Sequence, residues 1–148
     1  MQKLSNQILD LRELEKLATN LCKDLSAGDI CLFQGELGAG KTTFIRLLIN
    51  NLYVSNNIPK PSSIISPTYP ILITYELSSS QIYHYDLYRV KNLKELEELD
   101  FFDNLNNNIT FIEWPEMLIN LPLNKNRYLI NLDMISETKR KINICFKQ

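Results

Sequence analysis

Gly35-Glu36-Leu37-Gly38-Ala39-Gly40-Lys41-Thr42 sets a lysine and a threonine at the end of a glycine-rich octapeptide. The spacing is GxxxxGK(S/T), and the chemistry it suits is the holding of a polyphosphate. Glycines let the chain turn tightly enough for successive N–H groups to point at β- and γ-phosphate oxygens. Lys41 adds a point charge, Thr42 offers a hydroxyl to Mg2+, and a helix beginning near Gly40 adds its positive N-terminal end. Leu37, Gly38, Ala39, Gly40, Lys41, Thr42 and Thr43 are therefore the candidate nucleotide-binding residues. Four fixed positions match by accident in roughly one chain of this length per few hundred. The flanks argue against accident: Asp29-Ile30-Cys31-Leu32-Phe33 reads as a buried strand feeding the loop. The segment after it, 43–52, reads as a helix with an apolar face of Phe44, Leu47, Leu48 and Leu52.

Nucleotide hydrolysis needs an acid to help hold Mg2+ and a group to orient water. Two predicted strands end in a carboxylate, Ile82-Tyr83-His84-Tyr85-Asp86 and Ile109-Thr110-Phe111-Ile112-Glu113. Ligands in open α/β sheets sit at the carboxyl ends of strands, so Asp86 and Glu113 are both candidates for the metal held by Thr42. Asp86 also has a bland reading as a cap or as the partner of Arg89. Ser66-Pro67-Thr68, after a proline-bearing loop, is either a common turn or a switch segment whose hydroxyls sense the γ-phosphate. Trp114, the only tryptophan, is a core anchor or a docking residue beside Glu113. His84, the only histidine, reads as a packed or hydrogen-bonded residue rather than a catalytic base. Asn124-Lys125-Asn126-Arg127 lacks the carboxylate of the guanine-reading NKxD motif, which favours ATP. None of the five arginines lies in the loop or an obvious lid. An arginine finger contributes about 10³–10⁵ in rate, so slow hydrolysis by the isolated chain is expected, with acceleration by a partner.

The elements that must position these groups follow from the rest of the chain. The chain has 148 residues, 45% of them hydrophobic and 22% charged, which suits one soluble domain over 1–148. No apolar run approaches a membrane span and the N-terminus lacks a signal-peptide pattern. Three widely spaced cysteines read as reduced core residues and imply a cytoplasmic location. The net charge of −1 gives no basic excess for gripping RNA unaided. Lys139-Arg140-Lys141 reads as a solvated strand edge. Asp10 and Glu13 resemble a capping box before a helix over 11–25. Residues 54–67 form a loop, 69–77 and 81–85 a hairpin, 93–99 a short helix, and 127–133 and 141–146 two closing strands. The expected fold class is α/β, with a central sheet mixing parallel and antiparallel strands.

The loop Gly35 to Phe44, then Ser66-Pro67-Thr68-Tyr69, then Tyr83-His84-Tyr85-Asp86-Leu87-Tyr88-Arg89, then Ile112-Glu113-Trp114-Pro115 together resemble the TsaE (YjeE) family in order and approximate spacing. The resemblance covers most of the chain. It implies a P-loop NTPase-like three-layer sandwich and a bacterial, Mg2+-dependent ATPase of tRNA threonylcarbamoyladenosine synthesis. In that pathway TsaC-type enzymes make threonylcarbamoyl-adenylate, and the TsaB–TsaD pair transfers the group to adenosine. The family member joins TsaB–TsaD, reaching tRNA only through that complex, and its ATP hydrolysis permits repeated turnover. Carried over by motif, Thr42 and Glu113 are Mg2+ ligands, Gly38 to Thr43 cradle the phosphates, and Lys41, Thr68, Asp86 and Glu113 form the catalytic set. Asp86 is then the Walker-B-like acid, and Trp114 matches a family residue near the nucleotide. Isolated, the protein is expected to be a monomer. Where the family commonly carries Gly after the short acidic helix, this chain has Leu99-Asp100-Phe101. Two rival readings share the phosphate loop. A small-molecule kinase would bring several arginines onto a lid, and a non-hydrolysing binding module would not need both acids.

Overall fold

The carboxylate of Asp10 accepts the Glu13 N–H at 2.9 Å while the Glu13 side chain accepts the Asp10 N–H at 2.8 Å. This reciprocal capping box starts helix α1 (Leu11–Asp24) where the sequence placed it. The computed structural model describes residues 3–123 and 125–148. Asn124, which opens the segment compared above with the guanine motif, lies outside the described residues. After α1 come β2 (Ile30–Gln34), helix α2 (Lys41–Ser55), the hairpin β3 (Leu72–Glu76) and β4 (Gln81–Asp86), and short helices α3 (Leu93–Glu97) and α4 (Phe101–Asn104). β5 (Ile109–Glu113), β6 (Arg127–Met134) and β7 (Arg140–Lys147) complete the order, and β1 (Lys3–Leu9) precedes α1.

The seven strands form one sheet in the order β1-β7-β6-β2-β5-β4-β3. β6, β2, β5 and β4 are parallel neighbours, while β7, β1 and β3 add antiparallel pairs at the two sides. Central strands covered on both faces favour continuous apolar runs; β2 supplies Ile30 to Phe33, and β5 is buried throughout with Thr110 and Glu113 as its polar positions. Cys31, Phe33 and Phe111 face α1 and α2. Ile30, Leu32 and Ile112 face α3, α4 and the segment around Leu118. Helix, sheet and helix make an α/β three-layer sandwich with a phosphate-loop connection after β2. α2 buries Ile45, Ile49 and Tyr53 as well as Phe44, Leu48 and Leu52, because it lies between α1 and the sheet. No helix among the described residues is long and apolar enough to cross a membrane. The three cysteines are free thiols: Cys31 is buried, Cys22 and Cys145 half-buried. Burial pushes the Cys22 thiol up to about 12 and raises Cys31 well above its ordinary range.

Several elements differ from the sequence expectation. β1 was not anticipated, since its polar composition reflects an edge strand broken by a bulge at Asn6, whose φ is 53°. α2 continues to Ser55, three residues past the predicted end. β3 begins at Leu72, because Ile71 adopts φ 66° and its N–H closes a turn on the Pro67 carbonyl at 2.7 Å. Asp100 has φ 52° and separates α3 from α4. Aspartate tolerates the left-handed region better than most residues. β7 lies between β1 and β6, so Lys139-Arg140-Lys141 is not at a sheet edge.

Candidate functional site

The β4–β5 register sets Asp86 opposite Glu113, and the β2–β5 register sets Glu113 opposite Phe33, one residue before the end of β2. Three carboxyl ends therefore converge where the chain turns through Gly35–Gly40 into α2. A cleft of about 620 Å3 opens there, a volume ordinary for a ligand site. It gathers Thr42, Thr68, Asp86 and Glu113 from four separate parts of the chain.

The loop's shape depends on its first glycine. A Cβ at Gly35, whose φ is 147°, would stand 2.4 Å from the Leu132 carbonyl oxygen on β6. Gly35→Ala is expected to lower stability by about 2–4 kcal/mol, since main chain cannot yield as a side chain does. Denaturant unfolding checks this, and an unchanged midpoint would mean the loop relaxes freely. Ala39 is 1% exposed and packs into the core, so only its main chain is available to a ligand. Leu37 is 89% exposed at the rim, and its side chain likewise adds nothing to a phosphate cradle.

Lys41 is buried, with Nζ donating to the carbonyls of Gly35 at 2.6 Å and Glu36 at 3.1 Å. Burial lowers its pKa, and Glu113 and Asp86 lead the carboxylates that pull it back up. The ammonium also stands 3.8 Å from the centre of the Trp114 ring. Trp114 reaches that place through φ 57°, an uncommon conformation for a bulky residue, and its ring packs on Tyr88 at 4.9 Å. It is thus a half-buried wall of the cleft rather than a core anchor.

Glu113 is 3% exposed, and the Thr42 hydroxyl stands 2.9 Å from each of its carboxylate oxygens. Asp86, equally buried, accepts the Ser66 hydroxyl at 2.9 Å and the Thr68 hydroxyl at 3.0 Å on one oxygen. Its other oxygen accepts the Tyr88 N–H at 2.9 Å, an Asx-type turn. The proline-bearing loop is therefore pinned to the end of β4. Arg89 stacks 5.1 Å from the Tyr69 ring, while Asp86 caps the turn at Tyr88 and anchors the loop through Ser66 and Thr68. His84 is fully buried, with Nε2 2.9 Å from Glu113 Oε1.

Sequence reasoning missed Arg140. From β7 its Nε donates to the Ala39 carbonyl at 2.8 Å, and a terminal nitrogen reaches the Gly38 carbonyl at 3.4 Å. The structure thus brings one arginine to the loop after all. Its remaining contacts, to the Ser136 and Lys139 carbonyls, spend the guanidinium on main chain rather than on a lid. No local signal marks it; the β2–β6–β7 register alone carries residue 140 alongside the loop. Also missed was a largely apolar cavity of about 450 Å3 beside Gly40 and Thr43, walled by Leu9, Leu11 and Leu14.

The fold and this cleft define a phosphate-loop α/β protein. Residues 8–142 match the family model described as threonylcarbamoyl adenosine biosynthesis protein TsaE, and the chain belongs to that family. The family works in the biosynthesis of tRNA threonylcarbamoyladenosine. The chain is 43% identical over 132 residues to the Rickettsia felis tRNA threonylcarbamoyladenosine biosynthesis protein TsaE, covering 89% of this chain and 74% of the relative. The Aquifex aeolicus protein of the same name is 32% identical over 145 residues, covering 97% and 98%. Among solved structures, Bacillus subtilus YdiB shares the fold with a TM-score of 0.68 at 22% identity, covering 97% of this chain and 84% of that one.

Proposed function

We propose that this chain is a Mg2+-dependent ATPase that associates with the TsaB–TsaD pair and supports repeated threonylcarbamoylation of adenosine in tRNA. The observation that carries the reading is the pairing of the Thr42 hydroxyl with the Glu113 carboxylate at the mouth of the phosphate loop. Hydroxyl and carboxylate oxygens, few in number and close to a phosphate cradle, fit Mg2+, which prefers oxygen ligands and shares its shell with water and phosphate. When bound, the cation neutralises charge on the phosphates.

The chain's own residues do the rest. Main-chain N–H groups of Gly38 to Thr43, with the N-terminus of α2, bind the phosphates. Lys41 holds a charge that burial leaves poorly hydrated, so its attraction for phosphate is stronger than at an exposed site. Asp86 orients a water or takes its proton, and it ties the Ser66–Thr68 segment to the same carboxylate. A change at that segment is thereby felt at Asp86, which suits the switch reading over the bland turn. The largely apolar cavity beside Thr43 suits the base, with Leu9, Leu11 and Leu14 as its apolar wall and Asp10, Arg12, Glu137 and Thr138 as polar groups around it. We read residues 1–148 as a single ATPase domain, and its home as cytoplasmic. With Arg140 committed to carbonyls, slow turnover alone and stimulation by the partners remain the expected pattern.

A small-molecule kinase gains nothing from the geometry, since no second arginine reaches the cleft among the described residues. Reconstitution tests the proposal. With a TsaC-type enzyme, TsaB–TsaD, ATP and tRNA, adding this chain is expected to carry the modification well past one equivalent per TsaB–TsaD. Product that stops at one equivalent with and without the chain would refute it.

A further inference from the structure

We infer that His84 is a positioning residue for Glu113, its Nε2–H holding the carboxylate in the orientation that Thr42 and a divalent cation require. The inference rests on the reading of Glu113 as a Mg2+ ligand. β4 carries His84 and Asp86 two residues apart, so both project to the same face of the sheet. In register, Asp86 stands opposite Glu113 and His84 opposite Phe111, so the imidazole reaches diagonally along β5 to Glu113 Oε1 at 2.9 Å.

As a metal ligand Glu113 is a carboxylate whose oxygens only accept, so in this reading Nε2 carries the proton. Nδ1 is buried with no hydrogen-bond partner among the described residues, and a proton there would be a donor without an acceptor. The ring is therefore the Nε2–H tautomer. Glu113 is buried, and a buried carboxylate needs donors to stay in one place. Thr42 supplies one hydroxyl shared between both oxygens, and that hydroxyl is the group the cation engages. His84 is the donor that does not have to change when a cation arrives. Outer contacts of this kind orient metal ligands, and losing one typically costs about 10–100-fold in metal affinity.

His84 and Trp114 are each unique in the chain, which makes the test clean. Ring 15N spectra of the free protein are expected to show a protonated, slowly exchanging Nε2 and a bare Nδ1; a proton on Nδ1 would overturn the inference. His84→Gln keeps an N–H near the Nε2 position, whereas in His84→Asn the amide ends near Nδ1 and falls short of Glu113. Trp114 emission reports binding of a non-hydrolysable ATP analogue as Mg2+ is titrated, with a chelated sample as the Mg2+-free reference. The Asn variant is expected to need about 10–100-fold more Mg2+ and the Gln variant to stay within about 3-fold of native, both with unchanged Mg2+-free affinity. Equal behaviour of the two variants, or a loss of Mg2+-free binding in step with a lower Tm, would reduce His84 to a structural bond. Glu113→Gln runs alongside. Unchanged Mg2+ dependence there defeats the metal-ligand reading itself, while a shift there with none in His84→Asn defeats this inference alone.

Discussion

Asp86→Asn is expected to keep ATP bound while turnover falls by about 10²–10⁴-fold, the span a positioned acid or base commonly supplies. The geometry explains why binding survives. Asparagine retains an oxygen for the Tyr88 N–H, and its amide can donate to the Ser66 and Thr68 hydroxyls that now donate to Asp86. The loop stays pinned, and one negative charge facing the phosphates disappears. Only proton acceptance and water orientation are lost. Phosphate release, paired with a Trp114 fluorescence titration of ATP, separates the two quantities. Native turnover in this variant would leave Asp86 as a loop anchor, and the chain would move toward a nucleotide-dependent binding module.

Lys41→Ala has the opposite signature: nucleotide affinity itself is expected to fall by about 100-fold. A charge-assisted hydrogen bond contributes about 1.5–3 kcal/mol, and each 1.4 kcal/mol is tenfold. The buried setting puts Lys41 at the upper end of that range, because little water competes for its protons. Removing it also frees the Gly35 and Glu36 carbonyls and strips the cation from the Trp114 ring. Equilibrium titration with ATP and with ADP checks the effect, and equal native affinity for both would place the phosphates elsewhere. The two variants together divide binding from chemistry within one cleft.

Much of this was legible in the chain because local rules and tertiary structure agree. The capping box at Asp10, the apolar run Ile30 to Phe33 of β2 and the octapeptide leading into α2 each carry their own physical signature. The strand-ending carboxylates were readable for the same reason, since strand order and register then place Asp86 against Glu113. What stayed hidden depends on long-range register or on unusual backbone. β1 is polar because it is an edge, Trp114 turns over Lys41 through a positive φ, and Arg140 reaches Ala39 from 101 residues away. The His84–Glu113 bond belongs to the same class. The periodicity of β4 shows that His84 and Asp86 share a face, but not that the imidazole leans toward the neighbouring strand's last residue.

Steady-state ATP turnover of the purified chain, alone and with TsaB–TsaD, with Lys41→Ala as the blank, is the decisive measurement of the proposed ATPase. Slow, Mg2+-dependent hydrolysis above the blank that rises when the partners are added is the expected result. Turnover equal to the blank in both mixtures would contradict it.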